Sequence, residues 1–464
     1  MDYDKLKDEL LSTLDDGLKH AKSVDKEAEF ELYLIYRNKA IVTIRQGAVE
    51  AADGAVTGNA VRVAKQKRVS FASSSGISIE RIKLSIEEAV SSLRSGSFTD
   101  VRFRGFCDPK KPGNEGTFTK KILELRKEDL IKNANSQIKS AQDFDKRIAA
   151  AESNCSVEWG GFAVGNTRGV EQASRSASNS SQVSCMAKKN DERRIAYEFD
   201  DTRERLMKTE ELGIAAAKKA VDLLEARKLD KTAVLKTIWE PIAAASYLYA
   251  SLGQSTSGRA VVEGLSPIAE KIGKKIGSSD LTLIDDGQNP SSMNTEAVDD
   301  EGNPQQRTVI IDKGVLRNFI FDTYYARVHD TKSTGNCSRG GGPFGSSFPY
   351  EISSTISPKS LEVLPGRKDT DDLISSVEGQ AILIVDMPIG IFHSNVSTGE
   401  FSVVAQSVFL VQNGEKKWPL QPVSVAGNFY KGLEQIVDVG SDRKKTPLPV
   451  ETSSMVFDGF SVVG

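Results

Sequence analysis

The sequence predicts an α+β protein with an N-terminal antiparallel sheet that carries helices on one face, followed by a β-rich C-terminal domain with a buried central helix. Leucines at helical spacing in residues 4–20 predict an amphipathic helix. Apolar and polar residues alternate in 29–47, 59–74 and 146–200, which predicts antiparallel strands. From residue 232 onward, short strand-like segments alternate with Gly, Pro and Asn turns, as in a β-rich domain.

The N-terminal domain is predicted to repeat the order helix, strands, helix. The first strand segment alternates twice around Arg37-Asn38, which predicts two antiparallel strands that turn at this point. Residues 104–118 are basic and rich in turn formers, so we expect a long loop there. Further helices are predicted at 78–93, 127–141 and 203–227.

We expect two domains, an N-terminal α+β domain at 1–230 and a β-rich domain at 231–464. Residues 239–255, "WEPIAAASYLYASLGQS", contain no charged side chain after Glu240. Their apolar positions cover most of the helix circumference, which predicts a helix buried at the centre of the second domain.

Composition restricts the partners. The 61 Lys and Arg residues nearly balance the 64 Asp and Glu residues, so no overall field attracts nucleic acid or an anionic membrane. No apolar run approaches the roughly 18 residues of a membrane helix. The four cysteines are far apart in sequence, which favours reduced thiols. We therefore expect a cytoplasmic protein that binds neither nucleic acid nor membranes.

The histidine count excludes familiar zinc motifs. The chain has only His20, His329 and His393, no two of them close in sequence, so a His-Glu-x-x-His helix is impossible. A Cys/His zinc knuckle also fails, because there is no CxxC pair.

The segment 324–342, "YYARVHDTKSTGNCSRGGG", concentrates chemically active residues in a short span. His329 and Cys337 could contribute to a metal site or form a Cys/His nucleophile, and the glycines could cradle a phosphate. Alternatively, the segment is a surface loop whose glycines let the backbone approach another chain closely. The residues alone leave these alternatives open. The carboxylate pairs at 285–286, 299–300 and 371–372 adjoin turn residues and predict solvated turns.

The second half resembles the TldD/PmbA family, whose members are often labelled modulators of DNA gyrase. The matching segments span most of 232–464 and occur in the family's order: "GLSPIAEKIGKKIGSSDLTLIDD" (264–286), "TGNCSR" (334–339) for the family's TGNxxR loop, "LEVLPGRKDTDDLISSVEGQAILI" (361–384), "STGEFSVVAQSVFLVQNGEKKWPLQPVSVAGNF" (397–429) and "IVDVGSD" (436–442).

The resemblance implies a choice between two branches. The TldD branch is a zinc metallopeptidase with a His-Glu-x-x-x-His helix and a later cysteine ligand, whereas the PmbA branch, also called TldE, lacks these ligands. Here the corresponding segments, "IAAASYLYASL" (242–252) and "VGSDRKKTPLPV" (439–450), contain neither histidine nor cysteine. A hydrolytic zinc needs about three protein ligands, an open water position and a general base. The chain is therefore similar to the PmbA/TldE branch.

The resemblance implies a non-catalytic subunit of a TldD/PmbA-type zinc metallopeptidase complex, involved in proteolysis of small or unfolded peptides. This chain would hold no cofactor and would not be catalytic by itself. The zinc would belong to a TldD-like partner in a heterodimer, and a homodimer is the other expected assembly. The alternatives are a stand-alone peptide-binding or gyrase-linked regulatory protein and a hydrolase with a nucleophile such as Cys337.

The resemblance also implies where peptide or partner would bind. In this family the TGNxxR loop lies beside the substrate cleft, which points to Thr334, Gly335, Asn336 and Arg339. Arg339 could hold a peptide carboxylate or backbone carbonyl, or instead be tied to a carbonyl within the chain. The loop is followed by aromatic residues, of which Phe344 and Phe348 are the candidates for contact with peptide or partner.

Overall fold

The computed structural model describes residues 2–96, 99–229, 232–340 and 348–464. Its helices are α1 (Leu6–Val24), α2 (Ile79–Gly96), α3 (Lys121–Glu124), α4 (Lys127–Phe144), α5 (Thr209–Asp222), α6 (Pro241–Ser255), α7 (Gly258–Val262), α8 (Thr323–Val328), α9 (Thr370–Ser375) and α10 (Phe429–Glu434). Among the described residues, none of these helices combines the length and the apolar character needed to span a membrane.

The strands of the first half are β1 (Glu29–Arg45), β2 (Ala48–Lys65), β3 (Arg68–Ser75), β4 (Ile148–Asn166), β5 (Glu171–Lys189) and β6 (Glu192–Thr202). The strands of the second half are β7 (Thr232–Trp239), β8 (Leu283–Asp286), β9 (Arg307–Asp312), β10 (Val315–Leu316), β11 (Cys337–Ser338), β12 (Thr355–Ile356), β13 (Leu361–Val363), β14 (Gln380–Ile384), β15 (Glu400–Ala405), β16 (Val408–Gln412), β17 (Glu415–Leu420), β18 (Val423–Asn428), β19 (Ile436–Val439), β20 (Lys444–Lys445), β21 (Val450–Thr452) and β22 (Met455–Val463).

The first six strands form one antiparallel sheet, the N-terminal sheet, in the order β3-β2-β1-β4-β5-β6. Helices α1, α2, α4 and α5 pack on one face of it. Leu6, Leu10 and Leu14 of α1 are fully buried there, as the leucine spacing predicted. The sequence prediction of an α+β fold with helices on one face of an antiparallel sheet is confirmed.

The predicted turn at Arg37-Asn38 is wrong. Strand β1 runs straight through these residues, and the chain turns at Gln46-Gly47, where both residues have positive φ. Residues up to Tyr36 are buried, whereas Arg37 and most residues after it are more exposed. The hydrophobic pattern changes at Arg37 because the strand passes from a covered region into a more exposed one. Hydrophobic alternation alone does not distinguish such a passage from a turn.

Helix α5 is shorter than the predicted helix 203–227. Arg203 lies before it and is fully buried, with its guanidinium donating hydrogen bonds to the backbone oxygens of Ser292 and Thr295. These hydrogen bonds to distant residues hold the chain before α5 in a non-helical conformation.

The second half contains two larger sheets. The large C-terminal sheet has the order β15-β18-β22-β7-β14-β16-β17, with β19 added on β22. The small C-terminal sheet has the order β10-β9-β8-β13-β21-β20. Their neighbours are antiparallel except for the pairs β7/β14 and β13/β21. The β-rich character predicted for this half is confirmed; the predicted boundary between residues 230 and 231 lies outside the described residues and stays a prediction.

Helix α6 lies at the centre of the second half, as predicted. Tyr247 is fully buried, and its hydroxyl donates a hydrogen bond to the backbone oxygen of Phe429 at 2.5 Å. Its ring contacts those of Trp239, Phe457 and Phe460. Aromatic rings in such edge and tilted contacts add stability beyond the area they bury, so α6 is held rigidly.

Candidate functional site

The candidate site is a cleft of about 470 Å³ between the open face of the N-terminal sheet and the β-rich half. Strand β5 contributes Ser176, Ser178 and Ser180 to the cleft. The alternate residues Ala177 and Ser181 are buried on the helix-covered face. The period-two geometry of a strand separates the two sets. The sheet therefore offers a hydroxyl-lined wall on the side opposite its helices.

Helix α6 presents one narrow face to the cleft region. Tyr249 and Gly253 follow Ile242 by seven and eleven positions, which places the three residues within about 40° of one another around a helix. Tyr249 is half-buried in the cleft wall, where its hydroxyl bonds to Ser357. Its ring and the Phe392 ring are in an edge-to-face contact, with their centroids 6.1 Å apart. Burial raises the pKa of Tyr249, so its hydroxyl stays protonated.

Two further cavities adjoin this cleft at the two ends of α6. One, of about 390 Å³, lies at Glu240 and Pro241 and shares Asp201 with the cleft. The other, of about 680 Å³, lies at Gly253 and shares Tyr249 with the cleft. Each of these two cavities therefore shares part of its lining with the cleft.

The residues Thr334, Gly335 and Asn336 form an internal turn. The Thr334 hydroxyl bonds to the Asn336 side chain at 2.6 Å, and the Asn336 amide donates to the carboxylate of Asp285 at 2.6 Å. Gly335 has φ of +76°, and a Cβ there would lie 2.3 Å from the backbone oxygen of Pro304. Only glycine fits this close approach. The polar side chains of this turn therefore form hydrogen bonds with other groups of the same chain.

Arg339 points away from the cleft and is fully buried. Its guanidinium pairs with the carboxylate of Glu31 on β1 at 3.0 Å, contacts the backbone oxygen of Ile352, and lies 4.9 Å from the centre of the Tyr33 ring. The sequence left two roles open for Arg339, contact with a bound peptide or a bond within the chain. This geometry corresponds to the bond within the chain. Its neighbours Ser338 and Gly340 line the cleft, so the motif meets the cleft through the residues on either side of the arginine.

The Arg339–Glu31 pair belongs to a network of buried charges between the two halves of the chain. Glu31 also accepts two hydrogen bonds from Arg62, at 2.8 and 2.7 Å. Glu301 and Asp322 are buried nearby. Burial and the neighbouring Glu301 raise the pKa of Asp322 to about 7, and burial also raises the pKa of Glu301.

In two of the carboxylate pairs expected to be solvated, the first aspartate is buried and the second is partly exposed. Asp285 and Asp299 are each 1% exposed. Asp299 accepts backbone hydrogen bonds from Asn303 at 2.9 Å and from Cys337 at 3.0 Å. The turn at Asp299 exists, but residues from distant parts of the chain cover it. Burial and the adjacent Glu301 raise the pKa of Asp299 well above its ordinary value.

Cys337 and His329 show no sign of a nucleophile or metal site. Cys337 is fully buried, and burial together with the nearby Glu301 and Asp299 raises the pKa of its thiol well above the ordinary value. A protonated, covered thiol is a poor nucleophile. His329 ends α8 with its ring stacked on Phe321. In the part of the chain that the structure describes, no three His, Cys, Asp or Glu side chains are arranged to hold a metal ion.

Of the two phenylalanines proposed for peptide or partner contact, Phe348 is 42% exposed and Phe344 lies outside the described residues. The Phe348 ring stacks on Tyr350 with a centroid distance of 5.6 Å. Tyr350 is buried and fills the space above Gly58 of β2. Phe348 is therefore an exposed aromatic side chain on a firm support, and its role in binding stays a prediction.

Sequence reasoning missed the residues that line these cavities at the two ends of α6. Tyr249 was treated as part of a buried helix whose apolar positions cover most of its circumference, and Asp201 and Glu240 were not singled out. The recurrence of Ile242, Tyr249 and Gly253 on one helical face was visible in the sequence. It could not show that this face was the open one, because the covering residues come from distant segments.

Comparisons with known proteins agree with the fold and show the family. The family model for the PmbA/TldA metallopeptidase C-terminal domain matches residues 232–464. An uncharacterized protein of Methanocaldococcus jannaschii is 27% identical over 405 residues, covering 87% of this chain and 88% of that protein. A protein named metalloprotease PmbA homolog, from Buchnera aphidicola, is 25% identical over 453 residues, covering 93% and 92%.

The fold also matches a solved structure. TldE from Thermococcus kodakarensis superposes with a TM-score of 0.88 at 23% identity, covering 97% of this chain and 100% of that one. The helix-covered N-terminal sheet and the β-rich second half are therefore the fold of TldE, and the family model that matches the second half is that of a metallopeptidase domain. The chain belongs to the PmbA/TldD family, and the family resemblance seen in the sequence is confirmed.

Proposed function

We propose that this chain is the non-catalytic, PmbA/TldE-like subunit of a zinc-peptidase complex that degrades small or unfolded peptides in the cytoplasm. The observation that carries the proposal is the side-chain chemistry of α6. This helix lies in the family's metallopeptidase domain and borders the cleft, yet it offers Tyr249 and small or aliphatic side chains where a peptidase needs metal ligands.

The residues of α6 do not fit zinc. Ala243, Ala244 and Ala245 have no donor atom, and Ser246 donates its hydroxyl proton to the backbone oxygen of Ala243 at 2.6 Å. The Tyr249 hydroxyl is protonated and bonded to Ser357, so it is not available as a phenolate. We therefore assign the zinc to the partner and no hydrolytic step to this chain.

The cleft supports peptide binding rather than chemistry. Its wall on β4 and β5 is rich in hydroxyl groups, and its charged residues include the pair Arg37–Glu158 at 3.0 Å. Hydroxyls can donate or accept, so they can bond to the backbone of any extended segment. Such a wall tolerates many side chains, which suits a complex that degrades peptides of varied sequence.

We propose a TldD-like zinc peptidase as the partner in a heterodimer, with a homodimer as the alternative assembly. The support is the family membership together with the PmbA and TldE names of the similar proteins. A hydrolytic complex needs a zinc site, and the partner is the chain that would supply it.

The test is zinc content and activity of the chain alone and with a His-Glu-x-x-x-His paralogue from the same organism. We expect the isolated chain, after dialysis of metal-replete protein, to hold no stoichiometric zinc by elemental analysis. The co-purified complex should hold about one zinc and hydrolyse unfolded peptides, and the isolated chain should not. One tightly held zinc in the isolated chain, or peptidase activity without the paralogue, would contradict the proposal.

Replacement of Cys337 by alanine separates the proposal from a hydrolase with a cysteine nucleophile. Because the thiol is buried and protonated, we expect peptide turnover by the reconstituted complex to change by less than about tenfold, or about 1.4 kcal/mol in the barrier. Cys185→Ala, at another buried cysteine on the helix-covered sheet, is the control for packing loss. A loss of about a thousandfold for Cys337→Ala alone, with the fold intact, would favour the nucleophile.

A further inference from the structure

The edges of the sheets are protected to different degrees. A free strand edge offers a row of unpaired backbone groups to another chain, and proteins commonly block it with charges, proline or a bulge. Edge strand β17 carries Lys416, Lys417 and Pro419, and six of the eleven residues of edge strand β6 are charged. Edge strand β15 is met by Ile389, which pairs with Val404. These edges therefore resist pairing with another chain.

Strand β2 has a long edge without such protection. Its residues 48–56 pair with β1 on one side and with no strand on the other in the described part of the chain, because β3 pairs only from Gly58 onward. Their sequence, "AVEAADGAV", has no proline, lysine or arginine, and their pairing with β1 is regular. Residues 48–55 are all exposed, including Val49 at 50%. This part of β2 is therefore open to a further strand.

The hairpin turn determines which backbone groups of this edge are free. The turn is the two-residue Gln46-Gly47, so Arg45 and Ala48 form a hydrogen-bonded pair, and every second residue after Ala48 also bonds to β1. The intervening residues direct their N–H and C=O groups away from β1: Val49, Ala51, Asp53 and Ala55. The next residue of this set, Thr57, agrees with the assignment, since its backbone oxygen accepts outward from Gly76 at 2.8 Å.

A second copy of this chain carries the matching set of free groups. Two antiparallel edges join through residues whose backbone groups point toward each other. A two-fold axis at Ala51 places Ala51 opposite its own copy and Val49 opposite Asp53 on each side of the axis. This arrangement forms three hydrogen-bonded pairs, each of which exchanges two hydrogen bonds. Every free group of the three residues is then satisfied in both copies.

Charge and space favour this register over its neighbours. With the axis at Ala51, Asp53 faces the apolar Val49, whereas an axis at Asp53 would oppose two carboxylates directly. An axis at Ala52 would bring the hairpin turn of one copy onto Gly76 of the other, which already occupies the edge beside Thr57. The register at Ala51 stops short of that point and avoids both conflicts.

The surroundings of the edge leave room for a second copy. A Cβ placed on Gly54 would meet no atom within 4 Å. The carboxylate of Asp53 is already paired with Lys127 of α4 at 3.2 Å, which lowers the cost of bringing two acidic edges together. Lys39, the partner of Gly54 on β1, lines the cleft. The paired edges would therefore lie one strand away from each cleft.

We propose that two copies of this chain associate through residues 49–53 of β2, which pair antiparallel about a two-fold axis at Ala51. The two six-stranded N-terminal sheets then form one continuous sheet, with both clefts on the same side of it. This assembly goes beyond the proposed function and does not depend on the zinc-peptidase partner.

Analytical ultracentrifugation of the purified chain tests the association. We expect a reversible equilibrium between 50.4 kDa and twice that mass, with a Kd on the order of tens of micromolar because the paired segment is short. Residue-resolved amide exchange should show Val49, Ala51 and Asp53 gaining protection as concentration rises. The N–H groups of Glu50 and Ala52 already bond to β1, so their exchange should not depend on concentration.

Charge substitutions at the axis test the register. Ala51→Lys opposes two lysines and Ala51→Glu opposes two glutamates, so each variant alone should dimerise at least about tenfold more weakly. An equimolar mixture opposes lysine to glutamate and should dimerise about as tightly as the unmodified chain. Ile195→Lys, at an exposed position of edge strand β6, is the matched control and should leave the equilibrium unchanged. Circular dichroism checks that each variant is folded.

The contrary outcomes are distinct. A chain that stays monomeric at about tenfold above the expected Kd overturns the inference. A dimer that neither Ala51 variant weakens uses another surface, and failure of the mixture to recover excludes the axis at Ala51. Protection of the edge by an added unfolded peptide, in a chain that stays monomeric, would assign the edge to substrate instead. Zinc content and peptide hydrolysis with the paralogue decide the proposed function separately, so either proposal can fail alone.

Discussion

Replacing Arg339 by methionine is expected to lower the free energy of unfolding by about 3 kcal/mol. Arg339 and Glu31 are both fully buried and 3.0 Å apart, so removing the guanidinium leaves a buried carboxylate with less compensation. Arg62 still holds Glu31 with two hydrogen bonds, which keeps the cost near the lower end for a broken buried ion pair. Methionine retains most of the aliphatic volume, so the loss reports the charge rather than a cavity.

Urea unfolding followed by circular dichroism measures this change. Arg317→Met is the matched control, because Arg317 pairs with Asp312 at 3.4 Å on the surface and should cost less than about 1 kcal/mol. Adding Glu31→Gln to Arg339→Met should recover part of the loss, because it removes the uncompensated charge. If the Arg339 variant is as stable as the Arg317 variant, the buried pair does not hold the two halves together.

The fold class could be predicted because its signals are local. Helices α1, α2 and α4 bury one stripe each, so their spacing gives their bounds within a few residues. Helix α6 was predicted to be central because its sequence lacks charges after Glu240. The prediction failed where one sequence pattern has two possible structural causes. At Arg37-Asn38 a change of exposure along one strand has the same pattern as a turn.

The site could be predicted only in part, because its geometry depends on contacts between distant segments. The motif 334–339 could be recognised from the sequence, but Glu31, the partner of Arg339, lies more than three hundred residues earlier. Asp299 has the sequence context of a solvated turn and becomes buried because the chain at Cys337 covers it. No local pattern contains such information, so the motif's role as an anchor emerged only from the structure.

The same network makes stability depend on pH. The carboxylates of Asp299, Glu301 and Asp322 all have raised pKa values, chiefly because they are buried. A carboxylate whose pKa is higher in the folded chain than in the unfolded chain binds its proton more tightly in the folded state. The free energy of unfolding therefore falls as pH rises from the ordinary pKa towards the raised one.

Asp322 gives the clearest single test of this pH dependence. Its pKa is raised from 3.8 to about 7 by burial and by Glu301, with Arg62 acting in the opposite direction, and Cys337 and Tyr325 lie close by. Its ionisation should cost up to about 4 kcal/mol between pH 4 and pH 8. Asp322 also caps α8 by accepting from the Tyr325 backbone at 2.8 Å, and asparagine can keep that bond.

The expected result for Asp322→Asn is a flatter stability profile, with the variant more stable than the unmodified chain at pH 8 and no more stable at pH 4.5. Urea unfolding at several pH values gives both curves. Asp369→Asn is the matched control, because Asp369 caps α9 through the same kind of bond but is exposed, so its substitution should leave the slope unchanged. Parallel curves for the unmodified chain and Asp322→Asn would show that this carboxyl group keeps its ordinary pKa in the fold and that the pH dependence arises elsewhere.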